Sequence, residues 1–230
     1  MPWRSPSGPL VCYVTDRRAL PPPSLCSAPH PLGWAARLLE TIARAAAAGV
    51  DAVQLREKDL SGKALLELAA AANARAQGKL IINDRLDVAL AVRAAGVHLG
   101  GESVPVAEVT RRRSETSRTE AAPSLPENFL VGRSCHSLGD AIEAEKAGAD
   151  YVFFGPVFAT PSKAQFGPPQ GVAALVAVCH RVRIPVLAIG GITLDNARSC
   201  IAAGAAGIAA IRLFQESSNL PGVVSALQQR

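Results

Sequence analysis

At 230 residues, 49% of them hydrophobic, the chain can bury a full core as one or two domains, and no run of about 18 apolar residues marks a membrane span. The net charge of +5 is spread out, and its densest run, Arg111-Arg112-Arg113, has no aromatic neighbours on which bases could stack, so small anionic ligands are expected rather than nucleic acid. The five cysteines, at 12, 26, 135, 179 and 200, are odd in number and form no Cys-x-x-Cys pair, which argues against a disulfide framework or a zinc site. The opening Met1-Pro2-Trp3-Arg4 carries no apolar signal segment, and a cytoplasmic protein without a membrane partner is expected.

Beyond a tail over residues 1–9, Leu10 to Thr15 reads as a first strand. The segment 16–33 is dense in proline and reads as a lid or an insertion. From Trp34 to Ala48 the apolar spacing is helical, and Ala48-Gly49-Val50-Asp51-Ala52-Val53 turns into a second strand. That phrase recurs at Ala95-Gly96-Val97, Ala147-Gly148-Ala149-Asp150 and Ala203-Gly204-Ala205. Each glycine follows a helical pattern and precedes an apolar run, the place of a residue that ends a helix in the left-handed conformation. The four glycines lie roughly fifty residues apart, about twice the length of one strand-helix unit of a barrel, so they mark alternate strands. The strands between them fall at Lys79 to Asn83, Phe129 to Ser134 and Pro185 to Ile189, and Tyr151 to Phe154 is a further buried run. Helical patterns follow at 62–76, 86–94, 104–113, 138–147, 172–182, 194–202 and 220–228. Residues 114–128 read as a surface insertion.

Strict alternation of eight short strands with helices predicts a single α/β domain, a closed (β/α)₈ barrel of the TIM type over 1–230. A doubly wound open sheet is the alternative, disfavoured because no Gly-x-Gly-x-x-Gly follows an early strand. In a barrel the chemistry lies at the carboxyl ends of strands. Those ends offer Gln54, Arg56, Glu57 and Lys58; Asn83, Asp84 and Arg85; Gly100 to Ser103; Arg133, Ser134 and His136; Gly190-Gly191; and Ile211-Arg212. After strand six comes the long loop Gly155 to Gly171, stiffened by four prolines, in which Thr160, Ser162 and Lys163 could hold phosphate oxygens. Several cations on one rim suit a substrate with more than one phosphate, because each can neutralise charge on a departing group. Asp84 reads either as a Mg²⁺ ligand beside substrate phosphates or as an N-cap of the helix starting at Leu86. Cys135 and His136 are adjacent on a strand and point to opposite faces, which disfavours a nucleophile-base pair. His98 and His180, with Cys12, Cys179 and Cys200, read as structural.

Gln54-Leu55-Arg56-Glu57-Lys58, Asn83-Asp84, Gly132-Arg133-Ser134, Gly155-Pro156-Val157-Phe158-Ala159-Thr160-Pro161-Ser162-Lys163 and Ile189-Gly190-Gly191-Ile192 together resemble the thiamine phosphate synthase and thiazole tautomerase superfamily, from strand one to strand eight. The resemblance implies a transferase of thiamine biosynthesis. In such enzymes a pyrimidine methyl diphosphate loses pyrophosphate with magnesium assistance, and the ring nitrogen of a thiazole phosphate attacks the resulting cation. Carried over by position, Gln54, Arg56, Lys58, Asn83, Ser134 and Lys163 would hold the pyrimidine diphosphate, with Arg56, Lys58 and Lys163 as the catalytic cations. Thr160, Ser162 and Gly191 would hold the thiazole phosphate, Ile211 and Arg212 are further substrate-binding positions, and Asp84 would bind Mg²⁺.

The sequence departs from the synthase pattern in two places. Where synthases carry a second aspartate after strand four, this chain has Ser103, which removes a metal-ligating charge and implies a weakened Mg²⁺ site. Where they carry Ile-Ser after strand eight, it has Ile211-Arg212, which could add a phosphate contact. The tautomerase branch also lacks the second aspartate but places histidine where this chain has Pro156. A metal-independent thiazole phosphate tautomerase is therefore the alternative enzyme, and a non-enzymatic phosphate-binding or regulatory barrel the alternative outside enzymes.

Overall fold

The computed structural model describes residues 8–20, 35–114, 125–160 and 168–229. The tail up to residue 7, most of the proline-rich segment, residues 115–124 of the expected insertion, and Ser162 and Lys163 lie outside the described residues. Eight strands, β1 Leu10–Val14, β2 Ala52–Leu55, β3 Leu80–Asn83, β4 Gly96–Leu99, β5 Leu130–Cys135, β6 Tyr151–Phe154, β7 Val186–Ile189 and β8 Gly207–Ala210, pair in parallel and in chain order. Pairing of β8 with β1 closes the barrel, as the alternation predicts. Around it run α1 Ala36–Ala47, α2 Gly62–Asn73, α3 Leu86–Ala91, α4 Val106–Ser114, α5 Leu138–Lys146, α6 Gly171–Arg181 and α7 Leu194–Ala202. After β8 come a short α8, Arg212–Gln215, that the apolar spacing does not announce, and α9, Leu220–Gln228. A 3₁₀ turn at Arg17–Ala19 opens the proline-rich segment.

Alternation along the strands sorts side chains into two cores. Leu10, Cys12, Val14, Ala52, Ile81, Leu130, Tyr151, Phe153, Leu187 and Ala209 fill the barrel interior. The neighbours that point outward, among them Val11, Tyr13, Val53, Leu80, Ile82, Val131 and Val152, pack beneath the helices. Strands buried on both faces are the rule for parallel sheets and explain the nearly continuous apolar runs. With few large residues available, one tyrosine fills much of the floor. A Cβ at Gly132 would lie 2.1 Å from Cζ of Tyr151, so the ring occupies the space that a side chain on β5 would take.

β2 begins at Ala52, and Asp51 just before it serves the neighbouring strand: its carboxylate accepts the Val11 N–H at 2.8 Å. Asp150 does the same for the Val131 N–H at 2.6 Å, and Arg113, from the basic run, donates to that carboxylate. One expectation is corrected here, and it concerns the recurring glycine. Gly49, Gly148 and Gly204 have φ of 96°, 86° and 95° and end their helices, but Gly96 is already the first residue of β4, and Arg93 at φ 52° makes the left-handed stop. Gly96 is small for another reason: a Cβ there would meet the Leu130 carbonyl oxygen at 2.3 Å.

Gly132→Ala should be destabilising, because Tyr151 is fully buried and has no space to yield. Overpacking of this kind costs about 1–3 kcal/mol, and at roughly 2–4 °C per kcal/mol for a chain of this size the variant should melt several degrees below the parent in a calorimetric scan. An unchanged melting temperature would show that the Tyr151 ring is not held where it is described.

Candidate active site

The polar groups at the carboxyl rim are connected, and the connection starts from Asp84. This residue has φ 61°, an uncommon conformation for a side-chain-bearing residue that asparagine and aspartate tolerate best. Its Oδ1 accepts the Gly100 N–H at 2.9 Å and a short hydrogen bond from Ser103 Oγ, and its Oδ2 accepts Asn83 Nδ2 at 2.6 Å. Lys58 Nζ lies 3.9 Å from Oδ2. Burial opposes ionisation of the acid, but the Ser103 and Gly100 hydrogen bonds, with the Lys58 charge, more than offset it and hold the carboxyl below its ordinary value. The N-cap reading of Asp84 falls, since Arg85 occupies the cap position of α3 and no side chain caps it.

An ionised carboxylate only accepts, so it fixes the amides behind it. Asn83 must turn its NH₂ to Asp84 and its Oδ1 to Gln54, whose Nε2 donates to it at 2.7 Å. Gln54 is buried, and its Oε1 is left without a partner. A buried polar atom without a partner is uncommon in a folded protein.

Further round the rim, Ser134 Oγ lies 2.9 Å from Nε2 of His98, whose Nδ1 is 3.1 Å from the Tyr151 hydroxyl. The imidazole also faces Phe153, with ring centroids 4.3 Å apart. Burial drives the His98 pKa down to about 3; Asp84 opposes this, while the charges of Arg133 and Arg56 add to it. His98 is therefore a neutral ring that orients Ser134. Cys135 and His136 do not form a catalytic pair. Burial pushes the Cys135 thiol up to about 12, and His136 Nδ1 lies against the Gly155 carbonyl at the root of the strand-six loop. Cys12 and Cys200 are buried, whereas Cys179 is only partly so.

Glu57, read as part of the rim, is instead a structural anchor. It accepts from Thr15 Oγ1 at 2.7 Å and from Arg17 through both backbone and side chain, and burial raises its pKa despite these donors. Thr15 Oγ1 in turn accepts the Arg56 N–H at 2.9 Å, which fixes the backbone that carries Arg56. The end of strand one was missed as a contributor; its signal was the polar triplet Thr15-Asp16-Arg17 after an apolar strand.

On the opposite side, the root of the strand-six loop is joined to the strand-seven turn. Val157 N–H donates to Ile189 O at 2.9 Å and Phe158 N–H to Gly190 O at 3.0 Å. Gly191 has φ 65°, and a Cβ on it would lie 2.5 Å from the Ala159 oxygen, so only glycine admits this approach. Half-buried Thr160 ends the described part of the loop. Ile211 packs on the inner core, and Arg212, exposed, begins α8. The residues brought together are therefore Gln54, Lys58, Asn83 and Asp84 on one side, Ser134 on His98 beside them, and Gly191 with the strand-six loop across the barrel mouth.

Asp84 fits one position of a Mg²⁺ site: it is ionised, half-buried and an oxygen donor, and magnesium takes one or two carboxylates with substrate phosphates. Ser103 is neutral and engaged with Asp84 itself, Glu102 is exposed, and among the described residues no three His, Cys, Asp or Glu side chains gather as metal ligands.

These features define a (β/α)₈ barrel with a cationic, amide-lined rim suited to phosphorylated ligands. A profile for the family described as thiamine monophosphate synthase matches residues 25–214. A putative thiamine-phosphate synthase of Geobacter sulfurreducens is 47% identical over 177 residues, 76% of this chain and 78% of that one. The thiamine-phosphate synthase of Chlorobium phaeobacteroides is 37% identical over 97% of both chains. Among solved structures, thiamine phosphate pyrophosphorylase from Pyrococcus furiosus matches with a TM-score of 0.74 and 31% identity, covering 95% of this chain and 93% of that one. The chain belongs to the thiamine monophosphate synthase family.

The buried imidazole gives a pH prediction. Unfolded histidine titrates near 6.5 and folded His98 at about 3, so below about pH 6.5 the unfolded chain binds the extra proton and stability falls as pH drops towards 3. The loss of stability between pH 7 and pH 5, measured by chemical denaturation, should be about 2 kcal/mol smaller in His98→Asn than in the parent. Equal losses would mean that His98 is protonated in the folded protein.

Proposed function

We propose that this protein is a thiamine phosphate synthase-type transferase, which joins a hydroxymethylpyrimidine diphosphate to a thiazole phosphate and releases pyrophosphate. The observation that carries the reading is the chain of bonds from Asp84 through Asn83 to Gln54. It presents an unpartnered amide oxygen suited to an amino group on a heterocycle, beside cations suited to a diphosphate. A thiazole phosphate alone would use neither. Gln54, Asn83 and Ser134 then hold the pyrimidine ring, and Arg56, Lys58 and Lys163 neutralise the diphosphate as its bond to the methylene carbon breaks. The ring nitrogen of the thiazole forms the new bond to that carbon. Thr160, Ser162, Gly191, Ile211 and Arg212 take the thiazole phosphate.

Bound at Asp84 with the diphosphate oxygens, Mg²⁺ would supply Lewis-acid stabilisation of the leaving group. Asp84 holds its charge for this because Gly100 and Ser103 donate to the oxygen away from Lys58. With one protein carboxylate, the cation is held mainly by the substrate, so metal binding depends on diphosphate.

The experiment is formation of thiamine phosphate and pyrophosphate from both substrates across a Mg²⁺ titration. Asp84→Ala should lower the rate at least about a hundredfold, the scale of losing one transition-state stabiliser, and Ser103→Asp should reduce the Mg²⁺ concentration needed for half-maximal rate. Metal-independent isomerisation of the thiazole phosphate without coupling would overturn the transferase in favour of a tautomerase, which the absence of a second carboxylate would then explain.

A further inference from the structure

The residue after β4 joins two charged groups. Gly100 gives its N–H to the Asp84 carboxylate, and its carbonyl accepts a short hydrogen bond from Nη1 of Arg133. Arg133 lies on β5 opposite Leu99 of β4 and belongs to the outward-pointing set of its strand. Its long side chain nevertheless reaches the first residue of the strand-four loop. The guanidinium is half-buried, and among the described residues Gly100 is its hydrogen-bond partner, which leaves the other N–H groups of the fork open to solvent.

A planar fork with free donors, one residue removed from the metal-binding carboxylate, suits bidentate contact with phosphate oxygens. Its position has an electrostatic consequence. With serine at 103, the strand-four end holds no second carboxylate beside Asp84, whose cationic neighbour is Lys58, while the charge of Arg133 is felt at the neighbouring His98. A diphosphate carries several charges, and a second cation at this end can neutralise part of what a second carboxylate and a firmly held metal would otherwise handle.

We propose that Arg133 is a diphosphate-binding residue of this site, placed by its hydrogen bond to the Gly100 carbonyl so that its free N–H groups meet the terminal oxygens of the leaving group. The proposal rests on the transferase reading for its substrate, though a pyrophosphate probe tests it without turnover.

The test is isothermal titration with inorganic pyrophosphate, with Mg²⁺ and in a chelator, on the parent chain and on Arg133→Ala, Arg133→Gln and Arg133→Lys. Glutamine keeps a neutral N–H donor on a shorter stem and lysine keeps the charge, so the two together separate the charge that binds the ligand from support of the loop. Alanine and glutamine should both weaken pyrophosphate binding roughly tenfold or more, the worth of a charge-assisted bond, while lysine should recover part of the loss. The KM for the pyrimidine diphosphate should rise and that for the thiazole phosphate hold. Parent-like affinity in the glutamine variant, parent-like affinity in all three, or no pyrophosphate binding by the parent would each overturn the assignment. Loss of affinity in the variants of a protein that forms no thiamine phosphate would remove the transferase reading and keep Arg133 as an anion ligand. Unaltered affinity in variants of a protein that does couple its substrates would do the reverse.

Discussion

One ionised carboxylate sets the orientation of the polar rim. Asp84 accepts from a backbone N–H, a hydroxyl and an amide, and because it cannot donate, each neighbour has only one way to face it. Asn83 is turned by it and Gln54 by Asn83, so the acceptor left over at Gln54 follows from the charge two residues away along the network. The same carboxylate holds the strand-four loop through Gly100 and Ser103. Hydrogen bonds to a charged group are worth roughly 1.5–3 kcal/mol each, enough to hold Asp84 in a backbone conformation that would otherwise be strained.

Beneath this rim the barrel is filled unusually for its composition. Few aromatics are available, and three interior rings, His98 from β4 with Tyr151 and Phe153 from β6, contact one another across β5. Tyr151 is accommodated by Gly132, and its hydroxyl supports His98, which supports Ser134. The interior is therefore a graded column, apolar at the floor, then a neutral imidazole, then a hydroxyl facing the mouth. Desolvation keeps the imidazole uncharged, so the column adds polarity to the site without adding a cation.

Charge at the rim is divided between structure and chemistry. Glu57 and Asp59 are taken up by Arg17, which locks the end of strand one to the strand-two loop; Arg113 is taken up by Asp150. Lys58, Arg56 and Arg133 lie where Asp84 and His98 register their fields. Ion pairs with exposed partners add little stability, so what the anchoring pairs contribute is geometry: Thr15, held by Glu57, fixes the backbone at Arg56.

The sequence alone determined the barrel and the membership of its rim, because alternation at period two and helical spacing are properties of local order, and parallel strands with helices between them close in only a few ways. Gln54, Lys58, Asn83, Asp84 and Ser134 were legible as strand-end residues for that reason. Tertiary structure decided which of the strand-end charges are taken up by buried partners. Glu57 and Asp84 look alike in sequence, yet one is buried against Thr15 and Arg17 and the other faces Lys58, since residues distant in the chain decide the surroundings of each. His98 was read as structural from its place in a strand, but its support of Ser134 depends on β4 and β5 lying side by side. Arg133 was one cation among several until its side chain was found on the carbonyl of Gly100, the residue whose N–H serves Asp84. Spacing along the chain fixes which elements form, and the partners of a charged side chain are fixed by the packing of those elements in space.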